Sequence, residues 1–454
     1  MTRNTTASPR RSLSPAGALK NFWQRPVGVP PPYSILDSMD AESKMEPEIL
    51  RHCCRAGWDS SQTDRLLSLL RGNKVDWDGL VALAERHRVA PLLYHRLKSA
   101  AADAVPARTL ERLERRFHFN LAGNLTLARE LTAIVASFRA SGIDILPWKG
   151  VAAAAGIYGS LALRSAGDLD LLIHRRDLRK AKELLEARGF IASEDDESTR
   201  LELHLYRKAD RILVDLRWRI TPSYFGGSLD LDYLRESIQP LPLIGGEVPS
   251  LAAEELLLTL CVHGSKHEWE RLMWVCDVAE LVRAHPGLDW TRVARHASRL
   301  GVSRATLCGL LVARAILDAP VPDAVLASFG PGNSAHLAAV HACRGLFLDR
   351  PGRPSLRYHL RLMERRGDQI RYLVLSARSK LRQLCPNDLD RAAFPLPRAL
   401  EFLYFLVRPI RLLVTRRSAT PAAKISPWPS SGSPEQTPPA SDIYTPPAAP
   451  GKTR

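Results

Sequence analysis

Residues Lys149 to Ile173 read KGVAAAAGIYGSLALRSAGDLDLLI, and the final six of them decide the fold. In an extended strand successive side chains alternate between faces, so Asp168 and Asp170 share one face of DLDLLI while Leu169 and Leu171 take the other. Two carboxylates side by side in an apolar run repel each other unless something positive sits between them. A divalent cation is the natural partner, because Mg²⁺ takes oxygen ligands and is commonly held by one or two carboxylates together with substrate phosphates. An Asp-x-Asp pair is common by chance, so its surroundings carry the argument.

Upstream, a strand ending at Trp148 meets Lys149-Gly150 and a small-residue helix start, VAAAAGIY. Glycine at such a turn lets the backbone approach a ligand closely, and the helix N-terminus offers free N–H groups to an anion. Lys149 adds a positive charge there. Arg164, before the acidic pair, is a second candidate phosphate partner. Taken singly, Lys149 reads as a solvated helix-start lysine and Arg164 as a loop arginine. Gly159-Ser160 falls too late in the helix-to-loop stretch to be the phosphate turn.

Downstream, RRDLRKAKELLEARGF has helical spacing and stops at Arg188-Gly189, followed by the β-like runs ELHLY and RILVDLRW. Segment 201–219 reads as a hairpin turning at Lys208-Ala209-Asp210, which can lay the Asp215 strand beside the Asp168/Asp170 strand. Three convergent carboxylates suit two-metal phosphoryl transfer: two clamp the metals and the third orients or deprotonates the attacking hydroxyl.

Around this unit the chain has 454 residues, 45% hydrophobic, with a formal charge of +16. That composition excludes a wholly disordered chain, and the length suits two or three domains. Seven cysteines, with no CxxC, exclude a disulfide scaffold and fit free thiols in a reducing cytoplasm. No stretch reaches the roughly 18–20 uninterrupted apolar residues of a membrane span, and no apolar segment backs the N-terminal charges as a secretory signal would require. The expected location is cytoplasmic.

Proline-rich ends at 1–44 and 418–454 read as disordered. Between them the texture gives an N-terminal helical region (45–140), an α/β core (141–245) and a C-terminal helical region (246–417). The charge is concentrated late: 17 Arg/Lys against 6 Asp/Glu lie between Cys343 and Arg417. This basic arm reads as a nucleic-acid surface, an anionic-lipid surface through FLYFLVRPIRLLVTRR, or a solvated arginine-rich helical face.

The order KGxxxAxxxY, an arginine, GDLDLLI, a helix ending in ARGF and a later VDLRW closely resembles the polymerase-β-like nucleotidyltransferase superfamily, and more narrowly its uncharacterised bacterial nucleotidyltransferases. AERHRVAPLLYHRL, HGSKHEWERLMWVCDVAELV and FPLPRALEFLYFLVRPIRLL extend the likeness over about residues 75–415. The resemblance implies an α+β fold with a small mixed-sheet nucleotidyltransferase core flanked by helical regions. It implies that Asp168 and Asp170 hold two Mg²⁺ ions, that Asp215 is the third carboxylate, and that Lys149-Gly150 meets the triphosphate. Two departures stand out. Lys149-Gly150 replaces the superfamily's Gly-Gly or Gly-Ser pair, and Arg217 stands where relatives often have histidine, so no imidazole role carries over to that position.

His263 and His267 lie one helical turn apart, but residue 264 is Gly and no HExxH zinc pattern forms. They read either as packing residues or, with Lys266, as polar groups lining a nucleotide cleft. Asp277 is an acid in an apolar helix, with no partner evident from sequence. The expected activity is Mg²⁺-dependent transfer of a nucleoside monophosphate from an NTP, ATP being the expected one, to an acceptor hydroxyl with release of pyrophosphate. The competing readings are an inactive nucleotide- or protein-binding module of the same fold and a template-free RNA-modifying enzyme.

Overall fold

The structure, a computed structural model, describes residues 45–72, 74–193, 202–222, 224–330, 332–347 and 355–384. The proline-rich ends and the FLYFLVRPIRLLVTRR part of the basic arm lie outside these residues. Five α-helices open the described residues: α1 (Met45–Cys53), α2 (Ser60–Gly72), α3 (Trp77–Arg86), α4 (Ala90–Ala100) and α5 (Ala107–Ala140). Local chemistry sets their starts. Asp76 caps α3 by accepting from the Gly79 N–H at 3.0 Å, and Pro91 sits in the first turn of α4, where no N–H is needed.

The α/β unit follows: β1 (Ile145–Pro147), α6 (Val151–Tyr158), β2 (Leu169–Ile173), α7 (Leu178–Ala187), β3 (Ile191–Ala192), β4 (Glu202–Arg207) and β5 (Ile212–Arg217). The sheet order is β1-β2-β5-β4-β3, and within it only β2 and β5 run parallel. A mixed sheet of this kind between helical regions is the α+β architecture expected. The β4–β5 turn is one residue longer than the Lys208-Ala209-Asp210 turn read from sequence. Arg207 pairs with Ile212, and Arg211 joins the turn with φ of 62°. The difference matters because a one-residue slip moves every side chain to the opposite face.

A short α8 (Leu231–Leu234) leads into a separate hairpin of β6 (Ile238–Leu243) and β7 (Gly246–Leu251). The sequence reading did not identify this hairpin, whose strands carry Pro240, Pro242 and Pro249, residues that weaken a strand signal. The expected boundary at 245/246 falls in its turn. Helices α9 (Ala253–Lys266), α10 (Leu272–Ala284), α11 (Trp290–Leu300), α12 (Ser303–Leu317), α13 (Asp323–Ser328), α14 (Asn333–Leu346), α15 (Leu356–Leu362) and α16 (Arg366–Leu384) complete the described chain. Residues through Val374 belong to one compact unit, and Leu375 opens a second whose described part is the end of α16. No described helix is long and apolar enough to cross a membrane.

Two cores organise the first unit. Leu169, Leu171 and Ile173 of β2 join Val214 and Leu216 of β5 against Leu127, Leu131, Ile134 and Phe138 of α5 and Ala181 and Leu185 of α7. The other core joins α1–α4 to α9–α15, with Ile49, Leu80, Leu93, Leu257, Val275 and Leu310 among its members. The two helical regions on either side of the α/β unit therefore share one interior. Leu146 of β1 and Leu172 of β2, on the face that carries Asp170, belong to this second core. The sheet is thus covered on both sides, each buried Leu contributing roughly 1.5–3 kcal/mol, and its acids sit at the border of a low-dielectric region. The six described cysteines are all free and buried, and burial pushes the Cys53 thiol up to about 12 against the Arg96 charge.

Candidate active site

The strand-to-helix turn after β1 closes on the acidic strand. Gly150 caps α6 with φ of 65°, and a Cβ there would stand 3.0 Å from the Asp168 carbonyl oxygen. Any larger residue would meet both the left-handed backbone penalty and a fixed backbone atom. Glycine at 150 is what lets the turn lie directly against the start of β2. Gly159, by contrast, is the left-handed residue that ends α6 and takes no part in the turn. Two asparagines of α5 hold the loop between. The Asn124 amide donates to the carbonyls of Leu161 and Arg164 at 2.6 and 2.8 Å, and Asn120 donates to that of Ala162 at 3.0 Å.

Across the parallel pair, Asp170 stands opposite Asp215. Asp168, Asp170 and Asp215 each offer a carboxylate oxygen, and these atoms all lie within 4.8 Å of one another. Lys149 Nζ lies 2.8 Å from Asp170 Oδ2, and Arg217 Nε lies 3.6 Å from Asp170 Oδ1. Even so, neither Asp170 oxygen receives a hydrogen bond of good geometry, although the residue is fully buried. Burial, then the Asp168 charge, push its carboxyl up to about 7 despite the two cations. The buried Asp170 oxygens beside two more carboxylates form a hard, oxygen-only donor set that fits Mg²⁺.

Asp215 is held differently. His204 is its direct cross-strand partner, and Nδ1 lies 2.6 Å from Asp215 Oδ1. Burial would raise the Asp215 carboxyl, but the His204 hydrogen bond and charge and the Arg217 guanidinium hold it below the usual range. The same bond raises the His204 imidazole. Arg217 also pairs with Glu202 and approaches Asp215 Oδ2 at 3.6 Å. Lys149 is raised in turn, because Asp170 and Asp168 outweigh its burial. The acids are thus interleaved with cations, and a polyphosphate brought here with its metal would meet both.

The remaining expected residues divide into two groups. His263, Lys266 and His267 lie near Lys149 and Arg217, whose charges they feel. His263 packs edge-on against Trp148 at 5.6 Å and against His267 and Trp274, and Trp148 adjoins Lys149. Burial, then the Lys149 charge, hold His263 well below the ordinary imidazole range. Burial and the Lys266 charge push His267 down to about 3. Burial thus favours the neutral form of both rings, which can stack or hydrogen-bond. Lys266 is lowered by burial and by Arg217.

Arg164 is placed elsewhere. Its Nε and Nη2 each donate to Asp277 at 2.8 Å, and its Nη1 donates to the Gly150 carbonyl at 3.2 Å. The Tyr158 hydroxyl also donates to Asp277, at 3.0 Å. This buried cluster supplies the partner Asp277 requires and ties α10 to the Lys149-Gly150 turn. Arg164 braces the turn from behind, with its guanidinium engaged by protein groups.

The profile of a family described as an uncharacterised nucleotidyltransferase matches residues 73–318, more than half the chain. The chain belongs to this nucleotidyltransferase family. The matched span begins just after α2, runs through α12 and contains every residue of the acidic cluster. The crystal structure of an antigenic nucleotidyltransferase-like protein from Paracoccidioides brasiliensis is 16% identical, over 40% of this chain and 91% of that one, with a TM-score of 0.25. No curated protein matches the chain.

Within this nucleotidyltransferase, sequence reasoning missed His204 and Glu202. Their signal was present: ELHLYR alternates, and a four-residue turn would have set His204 opposite Asp215. An imidazole therefore does reach the third acid, from the neighbouring strand and not from position 217.

Proposed function

We propose that this chain is a Mg²⁺-dependent nucleotidyltransferase of polymerase-β-like type, moving a nucleoside monophosphate from an NTP, with ATP the expected donor, to a hydroxyl acceptor. The observation that carries the reading is the convergence of Asp168, Asp170 and Asp215 within 4.8 Å beside the Lys149-Gly150 turn. These three would hold the divalent ions, which when bound would neutralise phosphate charge and favour ionisation of the attacking hydroxyl.

The chain's own groups supply the rest. The Lys149 ammonium has three N–H donors and uses one direction on Asp170, leaving others for phosphate oxygens. Gly150 keeps the backbone low enough for the triphosphate to approach the turn. His204 holds one oxygen of Asp215, and Asp215 would help hold the metal and orient the acceptor hydroxyl. The neutral His263 and His267 rings, with Trp148 and Trp274, form an aromatic wall against which a base or acceptor can stack. Positioning and electrostatic stabilisation supply most of the acceleration in phosphoryl transfer, and this arrangement offers both.

The test is Mg²⁺-dependent pyrophosphate release from each NTP, comparing wild type with Asp170→Asn. Release by the wild type that the substitution abolishes, with folding retained, is the expected result. Equal release by both proteins would remove the acidic cluster from the reaction.

A further inference from the structure

Arg88 occupies a position where a glycine would be expected. It follows the last residues of α3 with φ of 56°, its N–H donating to the Glu85 carbonyl and the next N–H, of Val89, donating to that of Ala84. This is the hydrogen-bonding of a helix end closed by a left-handed residue, a place that glycine fills without penalty and a residue with a Cβ fills at a cost. The guanidinium reaches the site: a Cβ added to Gly167, next to Asp168, would lie 3.7 Å from Arg88 Nη1. Asp168 is the carboxylate whose charge Arg88 feels, yet no hydrogen bond or ion pair among the described residues engages the guanidinium.

A second arginine is held beside it. His87 is wholly buried, and its Nδ1 accepts from the Leu272 N–H at 3.2 Å while its carbonyl accepts from the Met273 N–H at 3.3 Å. These bonds fasten the start of α10, and Arg271 with it, to the Arg88 turn. Arg271 has the Trp274 ring at 5.8 Å and likewise no carboxylate partner among the described residues. Two arginines whose charges repel are thus carried on elements joined by buried hydrogen bonds of His87, with Arg88 reaching beside Asp168 and Arg271 over the Trp274 ring. A polyanion is the ligand that resolves this arrangement, since guanidiniums pair bidentately with phosphate.

We propose that Arg88 and Arg271 clamp the polyphosphate of the incoming nucleotide, so that the α3–α4 turn and the start of α10 supply the grip that Lys149 alone does not. This rests on the nucleotidyltransferase reading and names the part of the substrate these residues hold. The left-handed strain at Arg88 is then retained for binding, against the interest of stability.

The test is calorimetric titration of the full chain with inorganic tripolyphosphate in Mg²⁺, alongside thermal unfolding. Arg88→Gly, which relieves the strained backbone, is expected to keep or raise the unfolding midpoint while weakening tripolyphosphate about tenfold or more. Arg271→Ala is expected to weaken it similarly, and Arg88→Lys to retain part of the affinity. If Arg88→Gly binds within about twofold of the wild type, the clamp is refuted, and pyrophosphate release by the wild type would leave the nucleotidyltransferase reading standing. If the wild type neither binds tripolyphosphate nor releases pyrophosphate from any NTP, both inferences fall together.

Discussion

His204 Nδ1 lies 2.6 Å from Asp215 Oδ1, and the β4–β5 register makes the two residues direct partners. The bond fixes one carboxylate oxygen, while the other has the Arg217 guanidinium at 3.6 Å. Groups that orient a metal-binding carboxylate without touching the metal typically control affinity by 10–100-fold. His204→Ala is therefore expected to lower Mg²⁺ affinity by about that factor with little change in unfolding midpoint, and His204→Gln, which can still donate, to lose less. Calorimetric Mg²⁺ titration checks this, and unchanged affinity in a folded His204→Ala protein would contradict it.

Arg164 and Asp277 make a bidentate pair in a fully buried setting, separated by 113 residues in sequence. Removing one partner strands a charge away from water, which costs about 3–5 kcal/mol. Arg164→Ala and Asp277→Ala should each lose about that much stability by denaturant unfolding. The Arg164→Met/Asp277→Leu double variant should lose less than the two single losses combined, because no lone charge remains. A loss under about 1 kcal/mol for Arg164→Ala would return that residue to the role of a free phosphate ligand.

The contrast between these pairs shows what the sequence could reveal. Asp168, Asp170 and Asp215 were legible because strand alternation and a hairpin are local rules, each operating over a few residues. His204 was within reach of the same rules and was lost by one residue of turn length, since Arg211 adopts a left-handed conformation that its side chain does not announce. Arg164 reads from the sequence as a phosphate partner, and only α10, more than a hundred residues later, brings Asp277 against it. No local periodicity encodes that meeting. The β6–β7 hairpin was hidden by its own prolines, and the shared core of the two helical regions by the α/β unit inserted between them in sequence.

Gly264 separates His263 from Lys266 and His267 on α9, and packing explains it. A Cβ there would stand 2.5 Å from the ring of Trp269, which is wholly buried and whose backbone N–H donates to the Gly264 carbonyl at 2.9 Å. Gly309 faces the same ring from α12, where a Cβ would meet Cys261 Sγ at 2.6 Å. A rigid indole between two helices cannot yield cheaply, and overpacking of this kind costs about 1–3 kcal/mol. Gly264→Ala should destabilise by that amount and, by shifting the turn at 267–270, also lower activity. Gly309→Ala should match the first effect with less of the second. A Gly264→Ala protein as stable as the wild type would show that Trp269 is not the constraint.

His87 sets the pH dependence of the join between the N-terminal helices and α10. Burial, then the neighbouring Arg86 and Arg271 charges, push its imidazole down to about 3, so it stays neutral in the folded chain and accepts from the Leu272 N–H. In the unfolded chain the ring protonates near its ordinary value of about 6.5. Between those values the unfolded state binds the extra proton, so stability is complete above about pH 6.5 and falls as pH drops, by up to about 1.4 kcal/mol per pH unit from this residue. His267, also pushed down to about 3, adds to the slope with the same sign. Comparison with His87→Asn isolates the term, because an asparagine oxygen can still accept from Leu272 but takes up no proton. The stability advantage of the wild type over this variant should shrink steadily between about pH 6 and pH 4 in denaturant unfolding. A constant difference across that range would mean that His87 is as readily protonated in the folded chain as in the unfolded one.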